Sequence, residues 1–293
     1  MTNSKTKLSA FIVLLLISLV LYKFITFSSP EYKAIDGDEI DNVMCKFATV
    51  GHLYSITSDS KLLNELSKQL NNEKFDVIIF LGDLTKDGTD SQWEKINKFR
   101  QSLKSDVLFV PGNHDLKDEN SLLNWQKNVG YMSNKIKIKG CNFVLLNSVN
   151  SRAANYNWNK IVSGNGIDSL GIQILNGLKE NELNMVFMHH TLYSSDLWKA
   201  DHEVPNQFDE NAIIQEKLWR KNVSDLLTNR VSCVYTGDWH SRRTSISVQD
   251  NILYIANGLA KIESESHERL TYITTYIKQD STIINRIIPF GAN

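Results

Sequence analysis

From residue 44 onward, short apolar runs alternate with segments whose apolar positions recur at the helical period. The runs Cys45–Val50, Asp76–Leu81, Val107–Val110, Asn142–Leu146, Met185–Met188 and Val231–Tyr235 predict buried strands. Between them, helices are expected near 59–72, 91–104, 118–129, 168–180 and 207–228. Ser91, with Glu94 three residues later, predicts a capping box opening the second of these. The last third changes character. Arg243–Val248, Ile252–Ala256, Leu270–Ile277 and Thr282–Pro289 follow one another without helical segments, as in an antiparallel or mixed sheet. The pattern predicts one α/β domain over 44–293, with two sheets packed face to face beneath outer helices.

The first forty residues do not fit that alternation. Lys5 and Lys7 precede an apolar stretch from Leu8 to Phe27, interrupted only near its end by Lys23. About 20 residues at 1.5 Å rise suffice to cross a bilayer core, and a lysine near one end can snorkel to the interface. Phe24, Ile25 and Phe27 crowd the place where a leader peptidase would need small residues, so an uncleaved anchor is favoured over a cleaved signal. The expected order is a short tail at 1–7, a transmembrane helix at 8–27 and a polar tether at 28–43. The basic tail favours a cytoplasmic N-terminus, giving a single-pass membrane protein with its large domain on the extracytoplasmic side.

Composition adds mainly exclusions. Of 293 residues, 42% are hydrophobic and 22% charged, which is globular rather than disordered. Lys+Arg 32 against Asp+Glu 33 leaves a net charge of -1, so no basic excess points to nucleic acid. Three cysteines, Cys45, Cys141 and Cys233, are too scattered for a zinc ribbon or a disulfide framework.

The informative positions follow the strands. After Val50 come Gly51-His52-Leu53-Tyr54; after Leu81, Gly82-Asp83-Leu84-Thr85; after Val110, Pro111-Gly112-Asn113-His114-Asp115. After Met188 come His189-His190-Thr191, and after Thr236, Gly237-Asp238-Trp239-His240. Ligand sites in open α/β sheets collect at the carboxyl ends of strands. Any one of these clusters could be a turn. Turn chemistry does not explain why His, Asp and Asn, ligand types for Zn, Mn or Fe, recur at all five ends.

Gly82-Asp83-Leu84-Thr85 and Gly112-Asn113-His114-Asp115 match two signature blocks of the calcineurin-like metallophosphoesterases without change, and the chain resembles that family over roughly 45–290. Val186-Phe-Met-His-His-Thr-Leu-Tyr193 resembles its next block, with Thr191 where proline is usual. The resemblance implies an αββα sandwich of four layers, with two mixed sheets flanked by helices, and a phosphate-ester substrate. It also implies two divalent ions (Mn, Fe or Zn) bridged by Asp83.

Two blocks depart from the family pattern. In the favoured alignment, His52 takes the place of the usual Asp and Tyr54 that of the usual His; an alternative keeps His52 as the family His and leaves Val50 at the Asp position. In the last block, Asp238 replaces the first His and His240 keeps the second. The implied first ion would take His52, Asp83 and His240, with Tyr54 as a further phenolate ligand. The second would take Asp83, Asn113, His189 and Asp238. The substitutions run in opposite senses, so the number of carboxylate ligands stays the same; a weakened first site would leave one ion. By the same resemblance, His114 protonates the leaving group and Asp115 orients it, while His190, Tyr193 and Ser194 lie near the substrate mouth. The reading is a membrane-anchored phosphoric ester hydrolase. Its rival is a non-catalytic relative that binds a partner or a phosphorylated ligand in the cell envelope.

Overall fold

The computed structural model describes residues 40–149, 166–193, 220–238, 244–259 and 270–291. The expected transmembrane segment, helix positions 207–219 and His240 lie outside the described residues. No helix among the described residues is long and apolar enough to cross a membrane.

Eleven described strands form two mixed sheets. The first contains β1 (Val43–Val50), β2 (Val77–Leu81), β3 (Val107–Val110), β10 (Leu270–Lys278) and β11 (Ile283–Phe290), in the order β11-β10-β1-β2-β3. The second contains β4 (Asn134–Ile138), β5 (Cys141–Leu145), β6 (Asn184–Met188), β7 (Cys233–Thr236), β8 (Ser245–Gln249) and β9 (Ile252–Ala256), in the order β4-β5-β6-β7-β9-β8. Strands β1, β2 and β3 are mutually parallel, as are β5, β6, β7 and β9; the antiparallel pairings are β1–β10, β10–β11, β4–β5 and β8–β9.

The central parallel strands are mostly apolar because both of their faces are covered. Between the sheets, Phe47 packs edge-on against Phe143, Phe187 and Tyr235 at 5.1, 5.6 and 5.4 Å between ring centres. A hydroxyl bridge crosses the same gap, with Tyr235 on β7 donating to the Asn285 side chain on β11 at 3.0 Å. On the outer face of the first sheet, Ala48, Ile78 and Phe80 pack under helices α1 (Ser60–Asn72), α2 (Asp90–Ser102) and α3 (Glu119–Asn128), through Leu66, Trp93 and Trp125. On the outer face of the second, Val144, Val186 and Val234 pack with Leu175 of α4 (Ser169–Asn176) and with Val223 and Leu227 from helical residues 220–227.

Three sequence expectations need correction. Strand β4 is not anticipated, because Asn134-Lys-Ile-Lys-Ile138 is an edge strand whose lysines face water and dilute the apolar signal. Helix α2 begins at Asp90 with Thr89 as its N-cap and no side-chain cap bond, so Ser91 and Glu94 form no capping box there. The box opens α3 instead: Asp118 accepts from the Ser121 backbone, and the Ser121 hydroxyl accepts from the Asp118 backbone. Helix α4 is also shorter than 168–180, ending before Gly177.

Candidate metal centre

The five strand ends that carry polar clusters converge on one point. His52, Asp83 and Asn113 arrive from β1, β2 and β3 of the first sheet; His189 and Asp238 arrive from β6 and β7 of the second. His52 and Asp83 both have left-handed backbones, with φ of 57° and 51°. His, Asp and Asn tolerate that region better than other side chains, and here it bends each chain sharply out of its strand.

Glycines let the backbones meet. A Cβ on Gly237 would collide with the Leu81 carbonyl, and one on Gly51 with the Asn257 carbonyl and Gly237. A Cβ on Gly112 would run into the backbone and carboxylate of Asp83. The loops are then tied together. The amides of Gly237 and Asp238 both donate to the His189 carbonyl, at 3.0 and 2.7 Å, and the Thr191 hydroxyl donates to the Asp238 carbonyl at 2.8 Å.

Asp83 sits at the centre, almost fully buried. Its Oδ2 lies 3.3 Å from His52 Nε2 and 4.0 Å from His114 Nε2; its Oδ1 lies 3.3 Å from His189 Nε2 and accepts from the His114 amide at 3.0 Å. Asp238 Oδ1 stands 3.7 Å from His52 Nε2 and 4.0 Å from His189 Nε2. The Asn113 side-chain oxygen is 3.0 Å from His189 Nε2.

The tautomer of His189 follows from its other nitrogen. Nδ1 lies 2.8 Å from the Leu81 carbonyl, which can only accept, so Nδ1 carries the proton. In the neutral ring, Nε2 then turns a lone pair toward oxygens of Asp83, Asn113 and Asp238. Such an arrangement of acceptors requires a proton or a cation among them. His52, His189 and Asp238 offer ligand atoms that all lie within 4.8 Å of one another. Imidazole nitrogens and carboxylate oxygens together suit a divalent transition ion, so the residues present fit a metal.

Electrostatics agree with that fit. Burial pushes the Asp83 carboxyl up to about 7, with the Asp115 and Asp238 charges adding to it and His189 opposing. Burial pushes His189 down, but the carboxylates of Asp83 and Asp238 outweigh it and the net shift is upward. Both shifts favour protonated forms of this pair when no cation is bound.

The remaining expected residues fall around this centre. Val50 is buried in the core and offers no ligand atom, and His52, which both alignments retain, reaches the site directly. Tyr54 lies in the short 3-10 turn Leu53–Ser55, half-buried; burial and the Asp83, Asp238 and Asp87 charges push its phenol up to about 12, against the phenolate form. The hydroxyl of Ser148 lies 2.9 Å from Nδ1 of His190, whose ring burial holds down to about 4. His114 turns Nδ1 to the Lys86 carbonyl at 2.8 Å, and burial lowers its pKa.

Asp115 is engaged by the backbone around it. It is fully buried, and its carboxylate accepts from the amides of Leu84, Thr85 and Gly112 and from the Thr85 hydroxyl. It joins the loop after β2 to the loop after β3, and the His114 imidazole is held by a backbone carbonyl instead. Of the further contributors, Thr85 closes the Gly82–Thr85 block and Thr191 stands where proline is usual, whereas Ser148 leaves no signal in the sequence.

Comparison with known proteins bears on the fold and the family. Among solved structures, the fold is similar to a dimetal phosphatase from Danio rerio, at 14% identity and TM-score 0.56, covering 85% of this chain and 100% of that one. It is also similar to a purple acid phosphatase from yellow lupin, at 11% identity and TM-score 0.54, covering 84% of this chain and 52% of that one. Two curated proteins of Bacteroides fragilis named "Putative pre-16S rRNA nuclease" are 45% identical over 51 residues, 17% of this chain; the chain spans only 34% of their length. The family model described as calcineurin-like phosphoesterase matches residues 56–242, most of the chain, and the chain belongs to that family.

Proposed function

We propose that the chain is a metal-dependent phosphoesterase whose substrate is a phosphate ester. The observation that carries this reading is the convergence of His52, Asp83, Asn113, His189 and Asp238 from two sheets onto a buried point, with lone pairs facing one another. His52 and Asp83, with His240, would hold one divalent ion; Asp83, Asn113, His189 and Asp238 would hold a second. Bound ions of this kind neutralise phosphoryl charge and acidify a water molecule to supply the nucleophile.

The chain's own residues supply the rest. Asp83 holds its two oxygens toward different histidines, which suits a carboxylate shared between two ions. His114 commits Nδ1 to the Lys86 carbonyl, so Nε2 is the nitrogen turned toward the site, 4.0 Å from Asp83. In this reading Nε2 delivers a proton to the departing oxygen. Burial disfavours the charged ring, and the negative charge of an incoming phosphate would restore it. Residues 8–27 anchor the domain to a membrane with the site on the extracytoplasmic side, where envelope or extracellular phosphate esters would be the substrates.

The test is metal analysis of the purified chain after growth with Mn, Fe and Zn, followed by hydrolysis of chromogenic phosphate mono- and diesters. One or two ions per chain, lost together with turnover in Asp83→Ala, is the expected result. Absence of ions with all three metals, or turnover untouched in Asp83→Ala, overturns the reading and favours a non-catalytic relative that binds a partner or a phosphorylated ligand.

A further inference from the structure

Tyr54 occupies a position where the family resemblance expects a metal ligand, yet its surroundings give it a different set of contacts. The 3-10 turn that carries it is firmly held. The Tyr54 amide donates to the Asp83 carbonyl at 2.8 Å, the Ser55 amide to the His52 carbonyl at 3.2 Å, and the Thr57 hydroxyl to the Tyr54 carbonyl at 3.0 Å. Leu53 and Ile56 on either side are buried in the core. The backbone that carries the ring is thus fixed from both directions.

That ring touches two imidazoles. Its centre lies 4.7 Å from the His114 ring, tilted by 41°, and 5.1 Å from the His52 ring, tilted by 46°. Those distances are van der Waals contacts between aromatic rings. His114 is held at one edge by the Lys86 carbonyl and is covered on its flank by Tyr54. The Lys86 carbonyl fixes one edge of the imidazole, and the Tyr54 ring lies against the ring itself.

We propose that Tyr54 is a positioning residue for His114: its ring and the Lys86 carbonyl together hold the imidazole with Nε2 turned toward Asp83. The aromatic ring does this, and the hydroxyl is not needed. The inference rests on the reading of His114 as the proton donor for its catalytic consequence, while the ring contact itself is independent of any reaction. It also accounts for how an aromatic residue can replace a ligand type at this position without disordering the site.

The experiment uses the full chain labelled with 15N-histidine, with the His114 signals assigned by their loss in His114→Gln. The wild-type chain is expected to show one Nδ1–H tautomer for His114, its proton protected by the Lys86 carbonyl. Tyr54→Phe keeps that signature, and Tyr54→Leu, which retains bulk without a flat ring, shows averaged or exchange-broadened signals. In hydrolysis, Tyr54→Leu is expected to lose about tenfold in kcat with KM and metal content unchanged, and Tyr54→Phe to restore it. An unchanged His114 signature in Tyr54→Leu overturns the proposal. So does loss of metal in Tyr54→Phe, which would make the hydroxyl a ligand. Tyr54→Trp guards against misfolding of the Leu variant, since it keeps a flat ring and is expected to keep the signature. If the wild-type chain hydrolyses nothing, the functional reading fails, and the nitrogen spectra still decide the role of Tyr54.

Discussion

His189 and Asn113, from opposite sheets, face each other with 3.0 Å between Nε2 and the amide oxygen, while the other nitrogen of His189 is committed to the Leu81 carbonyl. Both are placed by neighbouring backbone. The first is fixed by a backbone acceptor, and the second follows Gly112, whose missing side chain lets the loop lie against Asp83. The arrangement is therefore set by the fold before any ion arrives, as a preorganised site requires.

Asp83→Asn separates function from stability. The variant is expected to lose bound metal and at least about a hundredfold in hydrolysis, in keeping with removal of one preorganised electrostatic group. The metal-free variant should nevertheless melt higher than the metal-free wild type at pH 8, because a buried carboxylate has been replaced by a neutral amide. Metal analysis and thermal melts with chelator check both halves.

The metal-free protein should become less stable as pH rises. Burial raises the folded-state pKa of Asp83 from 3.8 to about 7, so the folded chain holds a proton that the unfolded chain has already released. The resulting stabilisation is full below pH 3.8 and disappears as pH climbs through about 7. His189 also shifts upward in the folded state and acts in the same direction: burial opposes the shift, but the Asp83 and Asp238 carboxylates prevail. A melting temperature that falls between pH 5 and 8 with chelator, and flattens when Mn or Zn is restored, is the expected record. A flat profile without metal contradicts it.

Gly237→Ala should damage both the fold and the site. Its Cβ would meet the Leu81 carbonyl, which is backbone and cannot step aside like a flexible side chain. Overpacking of this kind costs about 1–3 kcal/mol. Denaturant titration reads the loss, and metal content should fall too, because Asp238 is the next residue.

Asp115→Asn should act on stability more than on chemistry. The carboxylate accepts four hydrogen bonds, three from backbone amides and one from Thr85. An amide group would set its own NH2 against some of those donors, at about 1–3 kcal/mol for each buried group left unsatisfied. Thr85→Val, which removes one donor, should cost less. If Asp115→Asn kept its melting point but lost turnover, the bracing role would be wrong and an orienting role toward His114 would be restored.

The strands that build the site were legible because parallel central strands are mostly apolar and give way abruptly to polar clusters. The mixed pairing of the last third was legible from the missing helices between its strands. Strand β4 was not, since two lysines in five residues make an edge strand look like a loop. The convergence of His52, Asp83, Asn113, His189 and Asp238 could be anticipated from residue types at strand ends. The work of Asp115 could not, because three of its four donors are backbone amides, two of them some 30 residues away in sequence, and any residue type but proline can supply an amide. For the same reason the Lys86 carbonyl, which holds His114, leaves no trace in the sequence.

The donors around Asp83 come from both sheets, so an ion seated there is also a rivet through the sandwich. Pulling the sheets apart would require breaking coordination bonds as well as separating apolar faces, which places the ion's contribution on the unfolding barrier. Loading can be completed only after the two halves have met. A metal-bearing molecule is thus a correctly assembled one, and chelation should shorten the lifetime of the folded chain well before it changes the shape of the resting state.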